Sequence, residues 1–89
     1  MPRAWVTSEA YSALVKVLVQ ARQEAGLSQR DVAERLEKPR SYISKIETKE
    51  RRIDVLELID LAHALEVDAF ELFKTVISAA AGSQATIRR

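Results

Sequence analysis

Twenty residues, Ser28 to Glu47 (SQRDVAERLEKPRSYISKIE), constrain this chain more than any other stretch. Ser28 with Asp31 three positions on is a variant of the capping box, so a helix starts there. Val32, Ala33 and Leu36 recur at helical spacing and mark its inward side. Glu37-Lys38-Pro39 then breaks the period. Pro39 lacks an N–H and has its φ pre-set near the helical value, which favours a new helix over roughly residues 40–47. In that helix Ile43 and Ile46 form the buried side. Arg40, Ser41, Ser44 and Lys45 are left facing outward.

The flanking sequence supplies three more helices. Thr7 or Ser8 caps a first helix over about 8–25, with Tyr11, Leu14, Val15, Leu18, Ala21 and Ala25 on its apolar side. Gly26 ends it, being free to adopt positive φ. The Ser28 helix covers about 28–36. Asp54, with Glu57 three residues later, caps a fourth helix over 55–66 whose inner stripe is Val55, Leu58, Ile59, Ala62 and Leu65. Asp68 caps a fifth over 69–79, using Ala69, Leu72, Phe73 and Val76. The expected fold is all-α: one compact five-helix domain over residues 1–79, with 80–89 as a flexible tail of small and polar residues.

Composition narrows the function. The chain has 89 residues, 47% of them apolar, with two glycines, two prolines and no cysteine. That suits a helical core and supplies neither a disulfide framework nor a cysteine zinc site. No leader-like apolar region opens the sequence and no run is long enough to span a bilayer, so a soluble cytoplasmic protein without membrane partners is expected. Net charge is only +1, yet it is unevenly placed. Residues 38–52 carry +4 and residues 54–73 carry −6, while residues 1–37 are neutral. One pole attracts phosphate and the other repels it. No nucleophile–base pair, metal-ligand set or cofactor motif emerges, so an enzyme is not expected and no metal or cofactor is invoked.

Two short helices joined by a three- or four-residue turn, the second with a basic outer edge, have the layout of a helix-turn-helix, which lays its second helix in the major groove of double-stranded DNA. Arg22-x-x-x-Gly26-Leu27-Ser28-Gln29, Val32-Ala33, Ile43-Ser44-x-Ile46-Glu47 and Leu58-x-x-x-Ala62-x-x-Leu65 together resemble the phage-repressor/Cro-like (XRE-type) helix-turn-helix family over about residues 14–73. The resemblance implies a five-helix repressor-like DNA-binding domain, usually dimeric on two-fold symmetric operators. Small members include repressors, antitoxins and restriction–modification controllers, and the run Arg40-Ser41-Tyr42-Ile43-Ser44 looks most like the controllers and stand-alone regulators. Glu37 stands where the family often has glycine, which asks for a left-handed backbone or a turn of different shape. The loop Thr48-Lys49-Glu50 also lacks the family's glycine.

Arg40, Ser41, Ser44 and Lys45 are the expected base readers, Arg40 first because its fork matches guanine O6 and N7. Ser28, Gln29, Tyr42, Lys49, Arg51 and Arg52 are expected at backbone phosphates, with Gln29 resembling the family's glutamine that bonds phosphate and steadies the reading helix. The resemblance also implies that Arg22 and Glu47 form an ion pair linking the first helix to the end of the third. Helix 5 is apolar on two sides, so Phe70, Phe73, Val76 and Ile77 are the expected dimer interface. His63 reads as a surface or boundary residue and not as a catalyst. The function expected is a sequence-specific, DNA-binding transcriptional regulator acting as a homodimer on an inverted repeat. The alternative is a protein-interaction module or antitoxin-type protein that uses the same fold to bind a toxin or the transcription machinery.

Overall fold

The computed structural model describes residues 8–83, which form helices α1 (Glu9–Glu24), α2 (Gln29–Arg35), α3 (Arg40–Glu47), α4 (Val55–Ala64) and α5 (Ala69–Ser83). The starts are written in side chains. Ser8 Oγ accepts from the Tyr11 amide at 3.1 Å. Ser28 and Asp31 close a reciprocal capping box at 3.0 and 2.8 Å. Asp54 and Glu57 close another at 2.8 and 3.0 Å. Asp68 Oδ1 accepts from the Glu71 amide at 3.1 Å. These bonds satisfy amides that the first helical turn leaves unpaired. Pro39 precedes α3 at φ −69°, ψ 154° and contributes no side-chain cap, so it sets the chain direction only.

The stops share one device. After α1, α2, α3 and α4 the chain turns left-handed at Gly26 (φ 75°), Glu37 (φ 58°), Lys49 (φ 66°) and Glu66 (φ 59°). Each time the following amide reaches back to a carbonyl five residues earlier: Leu27 to Arg22, Lys38 to Ala33, Glu50 to Lys45 and Val67 to Ala62, at 2.8–3.1 Å. That is the Schellman motif, and three of the four copies use a residue with a Cβ. Glu37 thus takes the left-handed backbone that its place in the turn demands, and Lys49 does the same after α3.

α1 lies along α5, α3 rests on α1, α2 packs on α3, and α4 bridges α2 and α5. Seven or eight residues are too few for a helix to persist alone, so α2 and α3 depend on what they bury. Val32 and Ile46 are fully covered, together with Leu18, Ala33, Ile43, Leu61, Ala62, Ala64, Leu65 and Leu72.

Two sequence expectations are corrected. Val55 and Ile59 do not join the inner stripe of α4; they are exposed, and Leu61 and Ala64 are buried in their stead. VLELIDLAHA is apolar around most of its circumference, so periodicity alone does not choose the inward side. α5 continues to Ser83, four residues beyond the expected end, because Ala79, Ala80 and Ala81 are strong helix formers. Trp5, Thr7 and residues 84–89 lie outside the described residues.

Candidate nucleic-acid interface

α3 is fixed in roll by its buried side. Ile43 and Ile46 are each 2% exposed, and uncovering either would cost about 1.5–3 kcal/mol. Arg40, Ser41 and Lys45 therefore face solvent, with Ser44 half-buried beside them. Among the described residues neither Arg40 nor Lys45 enters an ion pair. Ser44 Oγ donates weakly to the Ser41 carbonyl at 3.3 Å. The four expected base readers thus share one outer edge.

The far end of α3 is locked. Arg22 Nε donates to Glu47 Oε2 at 2.7 Å and Arg22 Nη2 to Glu47 Oε1 at 3.0 Å, with side chains 15% and 11% exposed. Arg22 Nη1 also caps the Leu27 carbonyl at 2.9 Å. Gln29 Nε2 donates to Glu47 Oε1 at 2.8 Å, so one of its two amide hydrogens is committed inward. α1, α2 and α3 thus meet at one carboxylate. Ser28 Oγ is likewise used as the α2 cap, leaving only its O–H to donate elsewhere.

The basic loop after α3 is tethered on two sides. Lys49 Nζ donates to Ser12 Oγ on α1 at 2.8 Å. The Arg52 guanidinium lies 5.1 Å from the Tyr11 ring, whose hydroxyl accepts from the Ile53 amide at 3.3 Å. Arg51 turns to α4: Nη1 and Nη2 grip Glu57 Oε1 and Oε2 at 3.0 and 2.7 Å, and Nη1 also donates to the Arg52 carbonyl at 3.1 Å. Its guanidinium lies 4.7 Å over the Tyr42 ring, and the Lys38 ammonium lies 5.2 Å from the same ring.

This cluster sets two acidities. The Arg51 guanidinium, opposed by burial and aided by the Asp54 amide, holds the Glu57 carboxyl down from 4.5 to about 2. Burial, reinforced by the Glu57 charge, pushes the Tyr42 phenol up. Tyr42 is half-buried, so the ring is a packing surface as well as a candidate DNA contact. Arg51, expected at phosphate, has its charge already compensated by a carboxylate. Sequence reasoning took Glu57 only as a cap; Tyr42, Arg51 and Glu57 come from three different elements, and no helical period links them.

A second surface lies on α5 and α4. Phe70 is 76% exposed, Phe73 46% and Ile77 52%, with Val76 half-buried between them. Val55 and Leu56 on α4 are exposed to 68% and 72%. Among the described residues no three His, Cys, Asp or Glu side chains are grouped to hold a metal ion, and no helix is long and apolar enough to cross a membrane.

A family model described as Helix-turn-helix matches residues 18–72, from the middle of α1 to the first turn of α5. A solved XRE-family like protein from Pseudomonas syringae pv. tomato str. DC3000 is 38% identical, with a TM-score of 0.74 over 78% of this chain and 84% of its own. The chain belongs to the XRE-type helix-turn-helix family. Within it, α2 and α3 are the helix-turn-helix pair. The wild-type restriction–modification controller protein C.Esp1396I is 30% identical, with a TM-score of 0.72 over 79% of this chain and 90% of its own. The same controller, solved as a tetramer with its natural 35 base-pair operator, gives 30% identity and a TM-score of 0.72 over 80% of this chain and 93% of its own. No curated protein matches the chain.

Proposed function

We propose that this XRE-type protein is a transcriptional regulator that binds double-stranded DNA sequence-specifically, as a homodimer, with α3 in the major groove. One observation carries the reading: a helix buried on Ile43 and Ile46 and clamped at Glu47 presents Arg40, Ser41, Ser44 and Lys45 on a free outer edge. An edge held this rigidly meets bases at low entropic cost. Arg40 is the leading base reader; Lys45 reaches guanine or the backbone, and the two serines reach base edges or phosphate. Ser28, Gln29, Lys49 and Arg52 flank the edge and suit phosphate contact, and Tyr42 with Arg51 adds a stacked pair. Similarity to a controller protein solved with its operator supports the same reading.

The second copy is assigned to the apolar face of Phe70, Phe73, Val76 and Ile77, enlarged by Val55, Leu56 and Ile59 of α4. Several large apolar side chains left exposed mark an interaction surface, and a symmetric pair places two reading helices on two half-sites. Selection of bound sequences from random duplex DNA tests the whole proposal. An enriched inverted repeat is the expected result; retention of no duplex at low ionic strength would discard it.

A further inference from the structure

We infer that Glu57 is a positioning residue for base recognition: it holds Arg51 over the Tyr42 ring, converting a would-be phosphate contact into part of the sequence reader. The inference rests on the DNA-binding reading above and extends it to a residue on α4, outside the helix-turn-helix. Glu57 is itself anchored. Its amide donates to Asp54 Oδ1 at 2.8 Å and its Oε1 accepts from the Asp54 amide at 3.0 Å, so the carboxylate projects from a rigid helix start. From there it takes both Nη atoms of Arg51 at 3.0 and 2.7 Å. The guanidinium then lies 4.7 Å from a ring that belongs to α3, next in sequence to Ser41.

Two consequences follow from this arrangement. Arginine whose charge is balanced by a carboxylate in a two-point grip displaces few counterions, so it adds little to sequence-independent affinity. A guanidinium stacked on an aromatic ring and forked to a carboxylate also has its orientation fixed before DNA arrives, and fixed donors discriminate between sequences better than mobile ones. Glu57 therefore lowers affinity for random DNA and sharpens preference for the right site.

The test uses the full chain and two duplexes: one enriched from a random pool by the wild-type protein, and one of the same composition with its sequence shuffled. Glu57→Gln keeps a hydrogen-bonding side chain at the third position of the α4 cap and removes the charge. The expected result is tighter binding to the shuffled duplex, about 3- to 10-fold at low salt, with the salt slope steeper by about 0.9 as Arg51 becomes available to phosphate. Preference for the enriched duplex falls about 10-fold. Arg51→Lys leaves the cap on Glu57 intact and cannot make the planar two-point grip. It is expected to lose the same preference, and the double variant to lose no more than either single one. Wild-type preference in both Glu57→Gln and Arg51→Lys, or equal weakening on both duplexes with an unchanged slope, would overturn the proposal and leave Glu57 as a helix cap. If Glu57→Gln does not fold, Arg51→Lys decides alone. A wild-type chain that retains neither duplex would instead bring down the DNA-binding reading itself.

Discussion

Arg40, Lys49 and Arg51 are all basic, and their surroundings give them different work. Arg40 stands on the open edge of α3 without an ion pair among the described residues, free to fork onto a base. Arg40→Ala should cost about 1–3 kcal/mol on the selected site and much less on shuffled DNA, as titration of both duplexes would show. Lys49 is held by the neutral Ser12 hydroxyl and, among the described residues, is paired with no carboxylate. Lys49→Ala should weaken binding to every sequence alike and flatten the salt slope by about 0.9. Arg51 is balanced by Glu57, and the pair has its own acid signature. The Glu57 carboxyl titrates near 2 in the folded chain against 4.5 when free. Its stabilising contribution is thus complete above pH 4.5 and is lost as pH falls toward 2. Thermal melting across that window should show wild type losing roughly 1–2 kcal/mol that Glu57→Gln does not lose; this is below the full linkage value because Arg51 is 38% exposed.

Among the elements, α3 is held by packing along its length and by charge at its end. Arg22→Ala strands a mostly buried Glu47 carboxylate with Gln29 as its one remaining side-chain donor among the described residues, so about 3 kcal/mol of stability should go, measurable by urea unfolding. The turn before α3 offers the opposite test. Glu37 holds φ 58° with a Cβ, and Glu37→Gly should gain about 0.5–1 kcal/mol by relieving that conformation. Helix starts were legible because Ser8, Ser28, Asp54 and Asp68 announce themselves chemically. The outer edge of α3 was legible because Ile43 and Ile46 leave only one way for it to face. The orientation of α4 was not: its apolar residues nearly encircle it, and only the neighbours α2 and α5 select Leu61 and Ala64 over Val55 and Ile59. The Tyr42–Arg51–Glu57 cluster was hidden for a related reason, being assembled by tertiary packing across a loop.

For the molecule as a whole, charge and apolar area are separated by element. The +4 segment at residues 38–52 forms α3 and its loop, and the −6 segment at 54–73 forms α4 and the start of α5. A phosphate surface would therefore draw one region in and hold the other away, which orients the protein before contact. Phe70 and its neighbours lie in the acidic segment or just beyond it, apart in sequence from the +4 segment. Phe70→Glu should shift sedimentation toward a monomer and weaken binding to the inverted repeat at least tenfold, while leaving affinity for a single half-site nearly unchanged.

The repeated left-handed stops carry a last implication. Because α1 to α4 each terminate through main-chain bonds, the angles between them owe little to the side chains at positions 40, 41, 44 and 45. Those four positions can be exchanged without disturbing the frame that carries them. The protein is thus a scaffold whose proposed reading edge is open to rewriting.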